Sequence, residues 1–381
     1  MDNASRKWHM SLLRDELKPR KLRDHVNPMV QEVEDYFAKW GRQGVVDLKQ
    51  EMEQVLMVIT GRCLLGKEVR EQMFGEVCDL FHELFDNGMR ITSILFPYAP
   101  TTANQRRDKA RAKLSEIFTN IVQSRKNSNH VEDDLLQNLI DSKYIDGRPT
   151  TIEEVVGLIV TLMLAGQHSS SNSSTWTVGH LLNDTRCLIA VIEEQKQIIK
   201  KHGSSIDFNV FLEMDILRNS IKEAVRMHPP GILNLRKVLK NFTVRTKEGM
   251  EYEIPRGHTI VSPTVVNTNI DYIYKNPNLY DPDRFGPGRA EDKIGGKFSY
   301  TTFGGGRHAC LGEAYAYLQI KAVLSHLLRN FELKLESPFP DTDTSTLSMG
   351  PKEKIMCKST RKRQLTLREK QRLVTDVDGH S

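Results

Sequence analysis

The sequence is poor in cysteine and has no long apolar run, and each shortage excludes a class of protein. Five cysteines (Cys63, Cys78, Cys187, Cys310, Cys357) are scattered over 381 residues without a CxxC pair. That spacing builds neither a disulfide framework nor a structural zinc site, and it suits a reducing compartment. The longest apolar stretch, Val155 to Ala165, falls far short of the ~20 residues a spanning helix needs. The opening MDNASRKWHMSLLR holds neither the apolar core nor the cleavage site of a secretory leader. As written, the chain is expected not to cross a membrane. Internal repeats and low-complexity blocks are lacking, and so is a strong excess of one charge. The 54 Lys+Arg against 49 Asp+Glu leave +5, a weak argument for nucleic-acid binding that one basic docking face explains equally well.

What is present is the balance of a folded protein, 39% hydrophobic and 27% charged. Apolar residues recur at three- and four-residue spacing in Val30–Trp40, Met52–Leu65, Met73–Phe85, Ala112–Val122, Leu135–Ile140 and Cys187–Ile199. Breakers separate them at Gly41–Gly44, Gly66, Pro97–Pro100, Asn127–Asn129, Gly147–Pro149 and Gly203. Thr150-Thr151-Ile152-Glu153-Glu154 holds a capping box and opens the strongest helix, which runs on past Trp176 and reads as buried through the middle of the protein. After Pro229 the texture changes to short β-like pieces at Phe242–Thr246, Tyr252–Ile254 and His258–Val261, then an irregular Pro/Gly/Asp-rich meander from Asn276 to Arg289. A helix returns at Gly312–Asn330, followed by a strand-like Phe331–Leu335. The fold class is mainly α with a small β part: one domain over residues 1–358, and a polar, mobile tail over 359–381.

The most distinctive stretch is Phe303-Gly304-Gly305-Gly306-Arg307-His308-Ala309-Cys310-Leu311-Gly312. Three glycines allow close backbone approach to a flat ligand. Cys310 stands just before a helix, where orphan N–H groups and the helix dipole are expected to lower a thiol pKa. Those are the needs of an axial sulfur ligand to haem iron. A phosphate-binding loop is the competing reading, but no GK[ST] continuation follows and no βαβ unit surrounds it. The other four cysteines read as small buried hydrophobes.

The loop resembles the haem-binding signature of the cytochrome P450 monooxygenases, in the sterol 14α-demethylase form that carries His (here His308) where most relatives have Arg. The resemblance covers nearly the whole chain. It is closest to plant members acting on obtusifoliol, through stretches such as Cys63–Gly66, Ile140–Tyr144, Asp146–Thr151, Tyr280–Arg289 and Ala316–Ala322. It implies the cytochrome P450 fold lacking its N-terminal anchor, first helices and most of the first sheet. It implies haem b held by Cys310 as the metal ligand, with Phe303, Gly304, Gly306 and Gly312 shaping the cradle. Arg236 and His308 would face the haem propionates as charge-assisted donors. Electrons from NADPH would arrive through a cytochrome P450 reductase and be used with O2, at the cytosolic face of the endoplasmic reticulum membrane. A monomer is expected, and no nucleic-acid partner.

Three more sites follow from the same resemblance. Glu223-Ala-Val-Arg226 puts two charges on one helix face, and in the family the pair joins the meander arginine (here Arg284) in a buried structural ion cluster. Ala165-Gly166-Gln167-His168-Ser169-Ser170 is expected to interrupt the central helix over the haem. His168 and Ser169 would deliver protons there, although many members have Thr at position 169. Ala165, Ile232, Leu233, Asn234 and Leu235 would line the substrate pocket, with Leu347, Ser348 and Met349 opposite. Gly231, Asn234 and Ser348 depart from the apolar residues of the plant demethylases, which suggests a wider, more polar cavity. The function implied is a haem-thiolate monooxygenase removing the 14α-methyl group of a sterol. A divergent hydroxylase or epoxidase of another triterpenoid and a truncated, non-catalytic haem protein stand as alternatives.

Overall fold

Helix caps and apolar periodicity fix most of the elements, beginning at the N-terminal end. The computed structural model describes residues 3–128, 132, 134–144, 146–296, 298–343 and 348–362. Helix α1 (Asn3–Glu16) leads into α2 (Pro19–Ala38), which starts on Pro19, where the missing N–H is harmless. Strand β1 (Gln43–Asp47) lies where a breaker was expected. Two glycines flank its start, but Val45-Val46 is β-branched and finds a partner strand far along the chain. Helix α3 (Leu48–Thr60) is capped by the Asp47 carboxylate, which accepts from the Lys49 N–H. It continues into a π-helical turn, Gly61–Leu65, before Gly66 stops it at φ +95°. Helices α4 (Phe74–Gly88), α5 (Ile91–Leu95), α6 (Thr102–Asn127) and α7 (Leu135–Asp141) follow.

The central helix α8 spans Ile152–Asn183. Its capping box is complete: the Thr151 hydroxyl accepts from the Glu154 N–H at 3.2 Å, and the Thr151 N–H donates back to Glu154 Oε2 at 2.9 Å. It packs against α3, α6, α11 (Asp215–Met227) and α13 (Glu313–Asn330). Between these lie α9 (Thr185–His202), α10 (Phe208–Leu212) and α12 (Thr264–Asn267). The expected break at residues 165–170 does not occur. The hydroxyls that would have loosened the helix donate to its own carbonyls, Ser169 to Ala165 at 2.7 Å, Ser173 to Ser169 at 2.8 Å and Thr177 to Ser173 at 2.6 Å, so the ladder stays intact.

The β part comes in pieces. Strand β2 (Leu233–Lys237) pairs antiparallel with β5 (Thr259–Pro263), and β3 (Phe242–Arg245) with β4 (Glu251–Ile254). Strands β6 (Phe331–Leu335) and β7 (Met356–Arg361) form a sheet with β1 in the order β1-β7-β6. Strand β7 corrects the boundary drawn at residue 358. Ser359 is buried and pairs with both Gly44 and Leu333, and the Arg361 side chain donates to the carbonyls of Phe37 and Trp40 at 2.8 Å. Polar composition hid it, because alternate residues of a strand face away from the core even when, as here, it is paired on both sides. The rest of the expected tail, residues 363–381, lies outside the described residues.

Candidate active site

The glycine-rich loop is closed by its own backbone. The Cys310 N–H donates to the Phe303 carbonyl at 2.8 Å, and Gly304 and Gly306 take φ of +72° and +66°. A Cβ on Gly304 would stand 3.2 Å from the His308 carbonyl and 3.7 Å from Asn234 Oδ1; one on Gly305 would strike the Phe298 ring at 2.9 Å. Residues other than glycine would be strained or would push these neighbours away. Gly306–His308 forms a single 3-10 turn with the side chains of Arg307 and His308 exposed. Phe303 packs beneath, its ring 5.7 Å from that of Tyr317 on α13.

Cys310 is exposed, just ahead of Gly312, the N-terminal flank of α13. Burial by the protein packed around the sulfur pushes the thiol up from its ordinary value, although the residue keeps open surface. The amides of Gly312 and Glu313 pull the other way and the Glu313 carboxylate adds to the rise. The expected depression of this thiol by the helix start is therefore corrected: two amides are in place, but desolvation outweighs them. A cation at the sulfur is what would hold the thiolate. An exposed soft donor, two supporting amides and glycines that exclude side chains fit a haem thiolate.

Helix α8 meets this loop across a small cavity of about 30 Å³ lined by Ser169, Ser173, Val225, Pro230, Phe303 and Ala316 among others. On α8, Gly157, Thr161 and Ala165 are exposed along one face. His168 and Ser169 diverge. The His168 ring stacks on Phe85 of α4 with centroids 4.0 Å apart, and burial lowers its pKa to about 4, so it is neutral near pH 7. Ser169 lies at the cavity with its hydroxyl bonded back to Ala165.

On β2, strand alternation splits the residues expected to line one pocket. Leu233 and Leu235 share an exposed face with Val261 opposite, while Asn234 and Arg236 point to the other. Asn234 Nδ2 donates to Thr264 Oγ1 at 3.1 Å, and its Oδ1 stands beside Gly304, so this face is turned to the glycine loop. Ile232 is half-buried, and its carbonyl accepts from the Thr264 N–H. Ser348 is buried and accepts from Asn172 Nδ2 of α8 at 3.0 Å; Met349 is half-buried. Leu347 lies outside the described residues. Sequence reading missed Asn172. The signal was there: it falls seven residues, two helical turns, after Ala165 on the same side of α8.

Behind the loop, Glu223, Arg226 and Arg284 have no exposed surface. Arg226 Nε and Arg284 Nε each stand 2.8 Å from the Glu223 carboxylate, and Glu291 closes the cluster on Arg284 at 2.6 Å. The remaining guanidinium donors reach the carbonyls of Thr268, Pro277, Lys275, Asn276 and Leu279, which satisfies the charges that burial would otherwise strand.

Comparison with known proteins agrees with this geometry. The family model described as Cytochrome P450 matches residues 3–358. The chain is 51% identical to the obtusifoliol 14-alpha demethylase of Sorghum bicolor over 95% of its own length and 74% of that relative's. It is 50% identical to the sterol 14-demethylase of Arabidopsis thaliana over 96% and 75%, and 34% identical to the lanosterol 14-alpha demethylase of Bos taurus over 91% and 68%. The solved structure of the retinoic acid bound cyanobacterial CYP120A1 superposes with a TM-score of 0.83 at 21% identity, covering 92% of this chain and 78% of that one. The glycine loop with its cysteine, the long central helix beside it and the buried ion cluster behind it are thus those of a member of the cytochrome P450 family, to which this chain belongs.

Proposed function

We propose that the chain is a haem-thiolate monooxygenase that removes the 14α-methyl group of a plant sterol of the obtusifoliol type. The observation that carries this reading is the Cys310 thiol, exposed at the end of a glycine loop with two backbone amides behind it. Identity of about half to plant sterol demethylases along almost the whole chain supports the substrate class.

Haem b bound through Cys310 would supply the activation of O2 with electrons passed from NADPH by a flavoprotein reductase. The rest is the work of this chain. Gly304, Gly306 and Gly312 keep the loop open to a flat ring system, and Phe303 floors it. Arg236 and His308 supply positive or donor groups for the carboxylates at the haem edge. Ser169 offers the proton at its Oγ, which must first leave the Ala165 carbonyl. His168, neutral near pH 7 and stacked on Phe85, can accept a proton or hand one on without carrying a resting charge. The open face of α8 at Gly157, Thr161 and Ala165 is the groove for the polycyclic substrate. Among the described residues no helix is long and apolar enough to cross a membrane. Attachment to the endoplasmic reticulum is inferred from the resemblance alone.

Two of the three departures from the plant demethylases do not make the groove more polar: Asn234 and Ser348 have their side chains bonded to Thr264 and Asn172. The third favours a second reading. A Cβ at Gly231 would meet nothing within 4 Å, so there is open space beside β2, which supports a triterpenoid broader than obtusifoliol.

The test is spectroscopic and then chemical. The reduced protein with CO should give a thiolate-type Soret band that Cys310→Ala abolishes; a band surviving in that variant overturns the ligand assignment. Obtusifoliol incubated with the protein, NADPH and reductase should yield the demethylated sterol by mass spectrometry. Oxidation of a pentacyclic triterpene instead would select the second reading.

A further inference from the structure

Behind the glycine loop two phenols stand where plain rings would have packed as well. Phe303, whose carbonyl accepts the Cys310 N–H at 2.8 Å, carries a ring 5.7 Å from that of Tyr317 on α13. The Tyr317 hydroxyl adjoins that of Tyr300, which donates to the Lys222 carbonyl at 3.0 Å. The Tyr300 ring stands edge-on to Phe285 with centroids 5.8 Å apart, and the Lys222 ammonium lies over both rings, 4.9 Å from Tyr300 and 4.5 Å from Phe285. Phe285 and Tyr300 are half-buried. A continuous path therefore leads from Cys310 through a backbone hydrogen bond, a ring contact and a meeting of hydroxyls to the edge of the molecule.

Packing alone does not account for the hydroxyls. A phenol enclosed among rings must find partners for a group that water would have served, and phenylalanine has no such need. What a phenol adds is one-electron chemistry, since it gives up an electron when a base takes its proton. Burial first, then the Glu313 carboxylate, push Tyr317 above the ordinary phenol value, so it rests neutral. Glu313 is exposed one helical turn ahead of it on α13, and the charge of Asp292 also reaches it.

We propose that Tyr317 and Tyr300 form a radical relay that discharges peroxide-oxidised haem to the protein surface when no substrate is bound. This rests on the reading of Cys310 as the haem ligand, and it adds a second activity, the reduction of peroxide at the expense of a reductant in solution. Hydrogen peroxide takes two electrons from the haem and leaves as water. Tyr317 returns one of them: its electron passes through Phe303 and Cys310, and its proton goes to the Glu313 or Asp292 carboxylate and on to water. The Tyr317 oxyl then takes a hydrogen atom from the Tyr300 hydroxyl, which leaves the Lys222 carbonyl. The Tyr300 oxyl takes one from ascorbate. A second passage returns the second electron, so that hydrogen peroxide and two hydrogen atoms become two waters.

The experiment uses the full, haem-loaded ferric chain without substrate, beside Tyr317→Phe and Tyr300→Phe. Both replacements keep the ring, so Phe303 and Phe285 keep their neighbours. Samples mixed with hydrogen peroxide and rapidly frozen are read by electron paramagnetic resonance. The parent should give a tyrosyl signal that narrows when the protein is made with ring-deuterated tyrosine. Tyr317→Phe should lose that signal, and its Soret band should bleach several-fold faster. Tyr300→Phe should form the signal and, with ascorbate present, hold it several-fold longer than the parent. In the parent itself a spin trap added with the peroxide should be found by peptide mass spectrometry on Tyr317 or Tyr300, a result that needs no variant to fold. A parental signal or bleaching rate in Tyr317→Phe, parental decay in Tyr300→Phe, or trap found only on other residues overturns the proposal. Failure of the haem-thiolate reading looks different: the parent would lack the CO thiolate band before any peroxide is added.

Discussion

Glu223 is a carboxylate with no surface, and its four donors come from three residues: Arg226 twice, Arg284 and the Asp281 N–H. Removing its charge leaves Arg226 with carbonyl partners only and Arg284 with Glu291 as its carboxylate. Glu223→Gln is expected to destabilise the fold by about 3–5 kcal/mol, read as a lowered midpoint in urea unfolding with an unchanged slope. Gly304 makes a sharper prediction at the same scale. At φ +72°, with a Cβ destined for 3.2 Å from the His308 carbonyl, Gly304→Ala forces the loop to shift. The thiolate CO band should shrink or convert to a non-thiolate form, while the urea midpoint falls by only about 1–2 kcal/mol worth of stability.

Two buried histidines contribute to the loss of stability in acid. His180 and His228 share a hydrogen bond, Nε2 to Nε2 at 2.9 Å, with His228 stacked on Trp176 and His180 on Tyr280. Burial first, then the positive charge of Arg226, lowers His180 to about 3; burial and His180 itself lower His228 to about 2. Both are neutral in the fold and charged when unfolded in acid. The stability they contribute is complete above the ordinary histidine value of 6.5 and is lost as pH falls from there toward the folded values, because the unfolded chain takes up protons that the fold refuses. His228→Phe keeps a ring on Trp176 and withdraws one such site. Between about pH 6 and pH 4 its unfolding free energy should fall with pH less steeply than the parent's, by the slope of about one proton.

Helix α8 shows what an element adds to its residues. Its apolar first half and its hydroxyl-rich second half are opposite in composition, yet it is one helix, because a long buried helix can satisfy serine and threonine on its own carbonyls. The start is where it is most simply tested. Thr151→Ala removes the side-chain half of the capping box and should cost about 1 kcal/mol, seen as a drop in Tm without change in the CO spectrum. The start of α8 and the spacing of the apolar helices were legible, since caps and periodicity are local. The continuity through Gly166 was not, since it depends on what the neighbouring helices leave for the hydroxyls to bond.

At the scale of the molecule, the sheet β1-β7-β6 ties residue 43 to residue 361. Arg361 holds the end of α2 through the Phe37 and Trp40 carbonyls and lies over the Phe331 ring at 4.7 Å. A chain ending at Lys358 is expected to unfold at lower temperature than one ending at Lys362, by several degrees in Tm, because it loses three paired strand residues, this arginine among them. Neither β1 nor β7 announced itself, because each is five or six residues of mixed polarity and the two pair with each other from opposite ends of the described chain.

The sequence alone determined the family and is what puts Cys310 forward as the proposed iron ligand, because the glycine loop and its cysteine are ten consecutive residues whose chemistry is local. It also determined the buried ion cluster as a set of residue types, although not its fourth member, Glu291. Tertiary structure alone decided which way each side chain faces. Alternation on β2 separated Asn234 and Arg236 from Leu233 and Leu235. Packing turned His168 to Phe85, and burial outweighed the helix start at the Cys310 sulfur. The facing of Asn172 to Ser348, 176 positions apart, follows from no local rule. Orientation, desolvation and pairing at long range are properties of the packed chain, which no local stretch of sequence carries.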